Sequence, residues 1–272
     1  MGPCYSWDVE NLFGSDALAA GYARSRPPVH PRVVELARPY LPARIGTALD
    51  IGCGAGLSTR PLTAVAGCAI GMEPAVPMLK FAANVAPGAA FLAGTSESLP
   101  VRDGSIDLIA AAGSLNYCDP ARFFAEAGRV LAPGGAVLIY DFSCGRSMRG
   151  TEALDRWFDQ FERRYPWPPD NALKITRESL EALAAGFRLT RYEPFEIGLP
   201  ITPEFYIDYV LTETNVGWAI RNGEPIETAI PVFEAEPAQE TVRNWCSEGT
   251  GPIFGGETRE VLFRGYFALL AQ

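Results

Sequence analysis

The feature that most constrains this chain is a short apolar run, Thr47-Ala48-Leu49-Asp50-Ile51, which ends in three closely spaced glycines, Gly52, Gly54 and Gly56. Such a run suits a buried strand and is too short for a core helix. Glycines directly after it let the backbone turn sharply and approach a ligand closely. The pattern then repeats. Residues 57–66 read as a helix, 68–72 as a strand, 75–86 as a helix and 89–93 as a strand. Asp103-Gly104 marks a turn before the almost wholly apolar strand 106–112. Pro120 opens a helix to Leu131, Pro133-Gly134-Gly135 ends it, and 136–142 is a fifth strand. Short apolar strands alternating with helices are β-α units, which predict an α/β fold with a parallel sheet covered on both faces. Right-handed crossovers wind that sheet both ways from its first strand.

The flanks read differently. Residues 1–40 are helical pieces broken by prolines, among them Pro27, Pro28 and Pro31, and are expected to form a lid. Residues 41–145 are the ligand-binding core. Residues 146–272 complete the sheet and add a helical cap, all within one structural domain. In the cap, 151–165 reads as an aromatic helix around Trp157, Phe158 and Phe161, followed by Pro166-Trp167-Pro168-Pro169. Thr176 caps a helix that Gly186 ends. A strand at 187–197, a helix at 203–221 stopped by Asn222-Gly223, a short helix at 237–247 and a last strand at 259–270 complete the chain. The aromatic segments are read as core or substrate wall.

Ligands of open parallel sheets sit beyond the carboxyl ends of the strands, near the first one. Glu73 closes the second strand, where an acid can hydrogen-bond two ribose hydroxyls. The turn and this acid together describe a nucleoside site. A dinucleotide site needs G-x-G-x-x-G with room for a pyrophosphate. Here the spacing is G-x-G-x-G, followed by Leu57, with no basic residue placed for phosphates.

The stretch Ala48-Leu49-Asp50-Ile51-Gly52-Cys53-Gly54-Ala55-Gly56 resembles the first motif of class I S-adenosylmethionine-dependent methyltransferases, of the broad type 11 kind. Gly71-Met72-Glu73-Pro74 with Met78-Leu79 resembles their second-strand motif. Gly94-Thr95-Ser96-Glu97-Ser98-Leu99-Pro100 with Asp103-Gly104-Ser105-Ile106-Asp107 resembles their adenine loop. Arg129-Val130-Leu131-Ala132-Pro133-Gly134-Gly135 resembles the turn into the fifth strand. The resemblance covers 45–145 and implies a doubly wound, mostly parallel seven-stranded Rossmann-like sheet with S-adenosyl-L-methionine as cofactor. It implies that Asp50, Gly52, Cys53, Gly54 and Gly56 surround the methionine end and that Glu73 takes the ribose. Pro74, Met78, Thr95, Ser96 and Glu97 then lie about the adenine, and Gly113, Ser114 and Leu115 lie near the methionine part. Tyr22 and Arg26 resemble a Tyr-x-x-x-Arg-Pro lid segment that reaches the cofactor carboxylate. The family often carries His-Trp after the fourth strand, where this chain has Asn116-Tyr117.

A base is needed only if the methyl acceptor must lose a proton. The candidates are His30, the sole histidine, and Tyr117 and Asp141 on the ligand-binding edge of the sheet. The net charge of −9, with no basic run, speaks against nucleic acid and against an anionic membrane surface. No apolar run is long enough to span a bilayer. No Cys or His spacing suits a metal. Cys53, Cys68, Cys118 and Cys144 lie in or beside apolar runs and are expected to be buried, reduced thiols, in keeping with a cytoplasmic protein. Residues 1–10 show no leader pattern. The expected reaction is methyl transfer to an O, N or C atom of a small, partly apolar molecule by a monomer or homodimer. Two alternatives stay open: an oxidoreductase using a nicotinamide cofactor, and a non-methylating S-adenosylmethionine-binding protein on the same fold.

Overall fold

Strand β1 (Thr47–Ile51) takes the middle of the sheet, with β2 (Cys68–Glu73) on one side and β4 (Ile106–Ala112) on the other, both parallel to it. The computed structural model describes residues 14–167, 172–222 and 235–272. Residues 1–10, Pro168, Pro169 and Gly223, all read above, lie outside the described residues. Strand β3 (Ala90–Ala93) flanks β2, and β5 (Leu131–Phe142) flanks β4. The long β8 (Arg259–Ala271) pairs antiparallel with β5, and β7 (Arg188–Ile201) pairs antiparallel with the other side of β8. The path is thus β3-β2-β1-β4-β5-β8, with β7 beyond. These are the seven expected strands. An eighth, the two-residue β6 (Ser147–Met148), continues the line of β5 along β8, pairing Ser147 with Leu262. The chain order reverses between β2 and β4, on either side of β1, and this reversal opens a crevice at the carboxyl ends of these strands.

Both faces of the central strands β1 and β4 are buried. On one, Leu49, Ile109, Val137, Ile139 and Leu270 pack against Phe123 and Phe124 of α5 (Pro120–Val130). On the other, Ala48, Ala110, Leu138 and Tyr140 pack beneath Val29, Val33 and Val34 of α2 (Val29–Ala37). Burial on two sides is why β1 and β4 read as apolar runs and not as alternating strands. The helix α1 (Asp16–Ser25), whose N-cap Ser15 accepts from Leu18 N, lies over α4 (Val76–Val85).

Helices and cysteines both depart from the sequence reading, and the short helix expected at 237–247 is the longer Ala235–Phe254. The helix expected at 57–66 contracts to α3 (Thr59–Leu62). Pro61 brings no N–H, Thr63 Oγ1 takes the Arg60 carbonyl at 2.7 Å, and the chain continues in three-residue turns. The helix expected at 203–221 is two, α8 (Pro203–Val210) and α9 (Thr214–Asn222). Between them Thr212 Oγ1 turns back onto the Tyr209 carbonyl at 2.7 Å. Cys68 is exposed, because it opens β2 at the rim of the sheet, and Cys144 is only partly buried. Cys53 and Cys118 are buried as expected.

The cap gathers α6 (Ala153–Arg164), α8, α9 and α10 (Ala235–Phe254), while α7 (Arg177–Leu183) starts from a capping box between Thr176 and Ser179. Trp157, Phe158 and Phe161 of α6 are buried and packed on Tyr206 and Trp245, so the aromatic helix is core, not an open wall. No helix among the described residues is long and apolar enough to cross a membrane.

Candidate functional site

The turn after β1 is built on left-handed glycines: φ is +64° at Gly52, +52° at Gly54 and +88° at Gly56. Two of them do different work. A Cβ on Gly52 would stand 2.4 Å from the Ser114 Cβ, so its absence lets the loops after β1 and β4 touch. Ser114 Oγ donates across that seam to the Ile51 carbonyl at 2.7 Å. A Cβ on Gly54 would meet nothing within 4 Å, so Gly54 faces open space at the mouth of the crevice. Cys53 between them is buried, and its N–H donates to the Met72 carbonyl at 3.0 Å, tying the turn to β2. Burial pushes its thiol far up, with Asp50 and Glu73 adding to the effect, so it stays neutral.

Glu73 is buried at the end of β2. Its Oε2 accepts from Gly54 N and its Oε1 from Ala75 N, each at 2.9 Å. Burial raises its pKa and these two bonds pull it down. A carboxylate oxygen has two lone pairs, so each oxygen keeps one for a further donor. Asp50 is also buried. Its Oδ2 accepts from Ser58 Oγ at 2.7 Å and Thr59 Oγ1 at 2.6 Å, while Oδ1 is buried with no partner. Burial pushes Asp50 up to about 7, against the pull of the two hydroxyls, and the Glu73 charge adds to the rise.

The lid supplies the opposite charge. The two terminal nitrogens of Arg26 donate to Glu213 Oε1 at 2.9 Å and to the Thr212 carbonyl at 2.8 Å. The guanidinium lies 4.1 Å over the Tyr22 ring and 5.3 Å from the Tyr209 ring centre. Its Nε is buried with no partner. Four residues on, His30 Nδ1 is 3.0 Å from the Tyr140 hydroxyl, and its ring stands edge-on to Tyr140 and Phe142. Burial, helped by the Arg26 charge, lowers His30 to about 4, so the imidazole is neutral near pH 7. Two buried polar atoms of opposite character, Asp50 Oδ1 and Arg26 Nε, are thus left unpaired in this region. The ammonium and carboxylate of an amino acid are their natural complements.

The remaining expected residues fall into two groups. Met78 is buried in a small cluster with Ala19, Ala55 and Ala75, against which Tyr22 packs, so the side chain joins α4 to the lid helix. Leu115 is buried in the core on the α5 side. Glu97 Oε1 accepts from Asp119 N at 3.0 Å, which fixes the 94–100 loop to the start of α5. Pro74 and Ser96 are partly buried and Thr95 is exposed. Gly113, with φ +62°, sits beside Asp141, whose Oδ1 a Cβ there would approach to 3.2 Å. Asp141 accepts from Phe142 N at 2.8 Å and from Asn116 Nδ2 at 3.3 Å, and burial raises its pKa against those bonds. Tyr117 stands on the same 3-10 turn, Leu115–Tyr117, as Asn116. The structure therefore brings Tyr22, Arg26, His30, Asp50, Gly54 and Glu73 to one end of the sheet. Leu115 and Met78 turn their side chains into packing.

Sequence reasoning missed Ser58, Thr59, Tyr140, Thr212 and Glu213. The hydroxyl pair just after the glycine turn was a readable signal for a buried carboxylate. Glu213 carried none, since its partner lies 187 residues away.

Comparisons with known proteins bear on the fold and the domain family. Residues 49–139 match the family model for a methyltransferase domain. An uncharacterised methyltransferase of Mycobacterium bovis is 33% identical over 132 residues, 48% of this chain and 52% of that protein. A tocopherol O-methyltransferase of Arabidopsis thaliana is 33% identical over 123 residues, 42% of this chain and 35% of that protein. The chain thus spans about half or less of these relatives' lengths. In three dimensions it is similar to a candidate type II methyltransferase from Anaeromyxobacter dehalogenans, with a TM-score of 0.63 at 22% identity over 90% of this chain and 97% of that one. It also resembles phosphoethanolamine N-methyltransferase 2 of Haemonchus contortus, crystallised with S-adenosyl-L-methionine, with a TM-score of 0.54 at 16% identity over 99% of this chain and 60% of that one. At these identities the two structures speak for the fold.

Proposed function

We propose that this chain, which carries a class I S-adenosylmethionine-dependent methyltransferase domain, binds S-adenosyl-L-methionine and transfers its methyl group to a small, partly apolar molecule. The observation that carries the reading is the corner between Gly54 and Glu73. The glycine faces open space, and the buried acid beside it is pinned by two backbone N–H groups and keeps a lone pair on each oxygen. That corner suits the two hydroxyls of a ribose. Asp50 Oδ1 and Arg26 Nε suit the amino-acid end.

When bound, the cofactor supplies a methyl group on a positive sulfur, already activated for displacement. The chain's own task is then to hold an acceptor in line and close, which can itself remove much of the barrier. Asp141 and Asn116 stand beside Gly113 at the end of β4 and can orient a hydroxyl or amine of the acceptor. Asp141 is the better placed base where the acceptor must lose a proton, because burial raises its pKa. His30, lowered to about 4, is a weak one.

Calorimetry with S-adenosylhomocysteine tests the cofactor. Binding should be tight and should be lost in Glu73→Ala and in Gly54→Val. Unchanged binding in both variants defeats the reading, and binding of NADH in place of S-adenosylhomocysteine makes the chain an oxidoreductase. Transfer of labelled methyl in a screen of small phenols, amines and polyketide-like acceptors tests the second half. A methyl that never leaves the cofactor makes this a binding protein.

A further inference from the structure

Resting on that cofactor, we propose that the Tyr140 hydroxyl and the His30 imidazole are further binding groups for its amino-acid end, spanning the gap between Asp50 Oδ1 and Arg26 Nε. The strand register sets the first half of the span. Asp50 pairs with Ala110 on β4, and Ala112, two residues on, pairs with Tyr140 on β5. Alternate residues of a strand share a face, so Asp50, Ala110, Ala112 and Tyr140 look the same way. Only two methyl groups separate the acid from the tyrosine on that face. The two are close enough for the Asp50 charge to act on the Tyr140 phenol.

The second half runs through the lid. Tyr140 Oη lies 3.0 Å from His30 Nδ1, and His30 sits four residues after Arg26, near enough to feel its charge. Asp50, Tyr140, His30 and Arg26 therefore make a chain of neighbours, with Tyr140 and His30 in hydrogen-bond contact and an unpaired buried atom on Asp50 and on Arg26. An α-amino acid spans such a chain with its ammonium toward Asp50 and its carboxylate toward Arg26. A neutral His30 suits this place, because an imidazolium would repel the ammonium. The sole histidine is thus a cofactor reader and not the base that removes an acceptor's proton.

The test compares two probes, S-adenosylhomocysteine and 5′-methylthioadenosine. Both carry the adenosine, and only the first carries the amino acid. Calorimetry on the full chain should show Tyr140→Phe and His30→Asn weakening S-adenosylhomocysteine about tenfold, the loss of one or two hydrogen bonds. Binding of 5′-methylthioadenosine should stay within about twofold, which also reports that each variant is folded. Phe142→Leu, which removes apolar edge contacts to the His30 and Phe263 rings, should change neither ratio. Equal losses for both probes in the two polar variants, or no loss for either, overturn the proposal. If the unaltered protein binds neither probe, the cofactor reading itself fails, which is a different result from unaltered protein that binds both and variants that lose both equally or neither.

Discussion

At the residue scale, the two buried groups with shifted protonation make predictions that do not depend on knowing the acceptor. Burial places Asp50 near 7 without cofactor. An ammonium beside Oδ1 favours the ionised form, so binding at pH 6 must expel a proton from this carboxyl. The affinity of S-adenosylhomocysteine should be about tenfold weaker at pH 6 than at pH 8. Calorimetry at pH 6 in two buffers of different ionisation enthalpy should reveal the released proton, and a flat profile with none released contradicts the assignment. His30 cannot supply this dependence, since its value of about 4 lies below the window. A base held below its unfolded value favours the fold above about 6.5, and that advantage is lost as the pH falls toward 4. Because His30 is the sole histidine, one imidazole resonance pair reports it. Its shifts should stay constant from pH 8 to about 5.5, and a midpoint between 6 and 7 would place the ring in water. Asp50, Glu73 and Gly54 were legible in the sequence because the glycine spacing and the strand ends are local. Tyr140 was not, because it read as one more apolar residue of the fifth strand, and only the fold brings His30 onto it.

At the scale of elements, the interruption between α8 and α9 shows where local reading stops. Residues 203–221 keep a helical pattern, and no glycine or proline falls at 211–213 to announce a break. The break is imposed by tertiary structure. Arg26 takes the Thr212 carbonyl and the Glu213 carboxylate, and Glu213 Oε2 also accepts from the Cys144 thiol at 3.6 Å. A Cβ on Gly21 would come within 3.1 Å of Thr212 Cγ2, so the lid helix lies directly on this turn. The side chains of Arg26 and Glu213 are 16% and 6% exposed, so this is a buried pair. Breaking such a pair leaves a bare charge in the interior, at a cost of about 3–5 kcal/mol. Glu213→Leu alone should lower the unfolding free energy by about that amount. The double change Arg26→Met with Glu213→Leu should recover most of it, because the charge is then gone from both sides. Urea unfolding measures both, and strictly additive losses would show that the two side chains do not act together.

At the scale of the molecule, the doubly wound sheet and its crevice were predictable from the alternation of strands and helices. What was not predictable is how the lid and cap meet over the carboxyl ends. The lid is joined to α4 by Met78 and by the ion pair of Asp16 with Lys80. It is joined to the cap by Arg26 on Glu213. The exposed Asp16–Lys80 pair contributes little, so the buried contacts carry the closure. A ligand that pairs Asp50 Oδ1 and Arg26 Nε binds only the folded state, and so stabilises the whole molecule by mass action. At a hundredfold excess over its dissociation constant the gain is about 2.7 kcal/mol. For a chain of this size that raises the unfolding midpoint by roughly 5 °C. S-adenosylhomocysteine should produce that shift in a thermal melt. The Glu73→Ala variant should melt at the same temperature with and without it, having lost the ribose anchor. A shift of equal size in the variant would mean that the ligand stabilises the molecule from somewhere other than the crevice at Gly54.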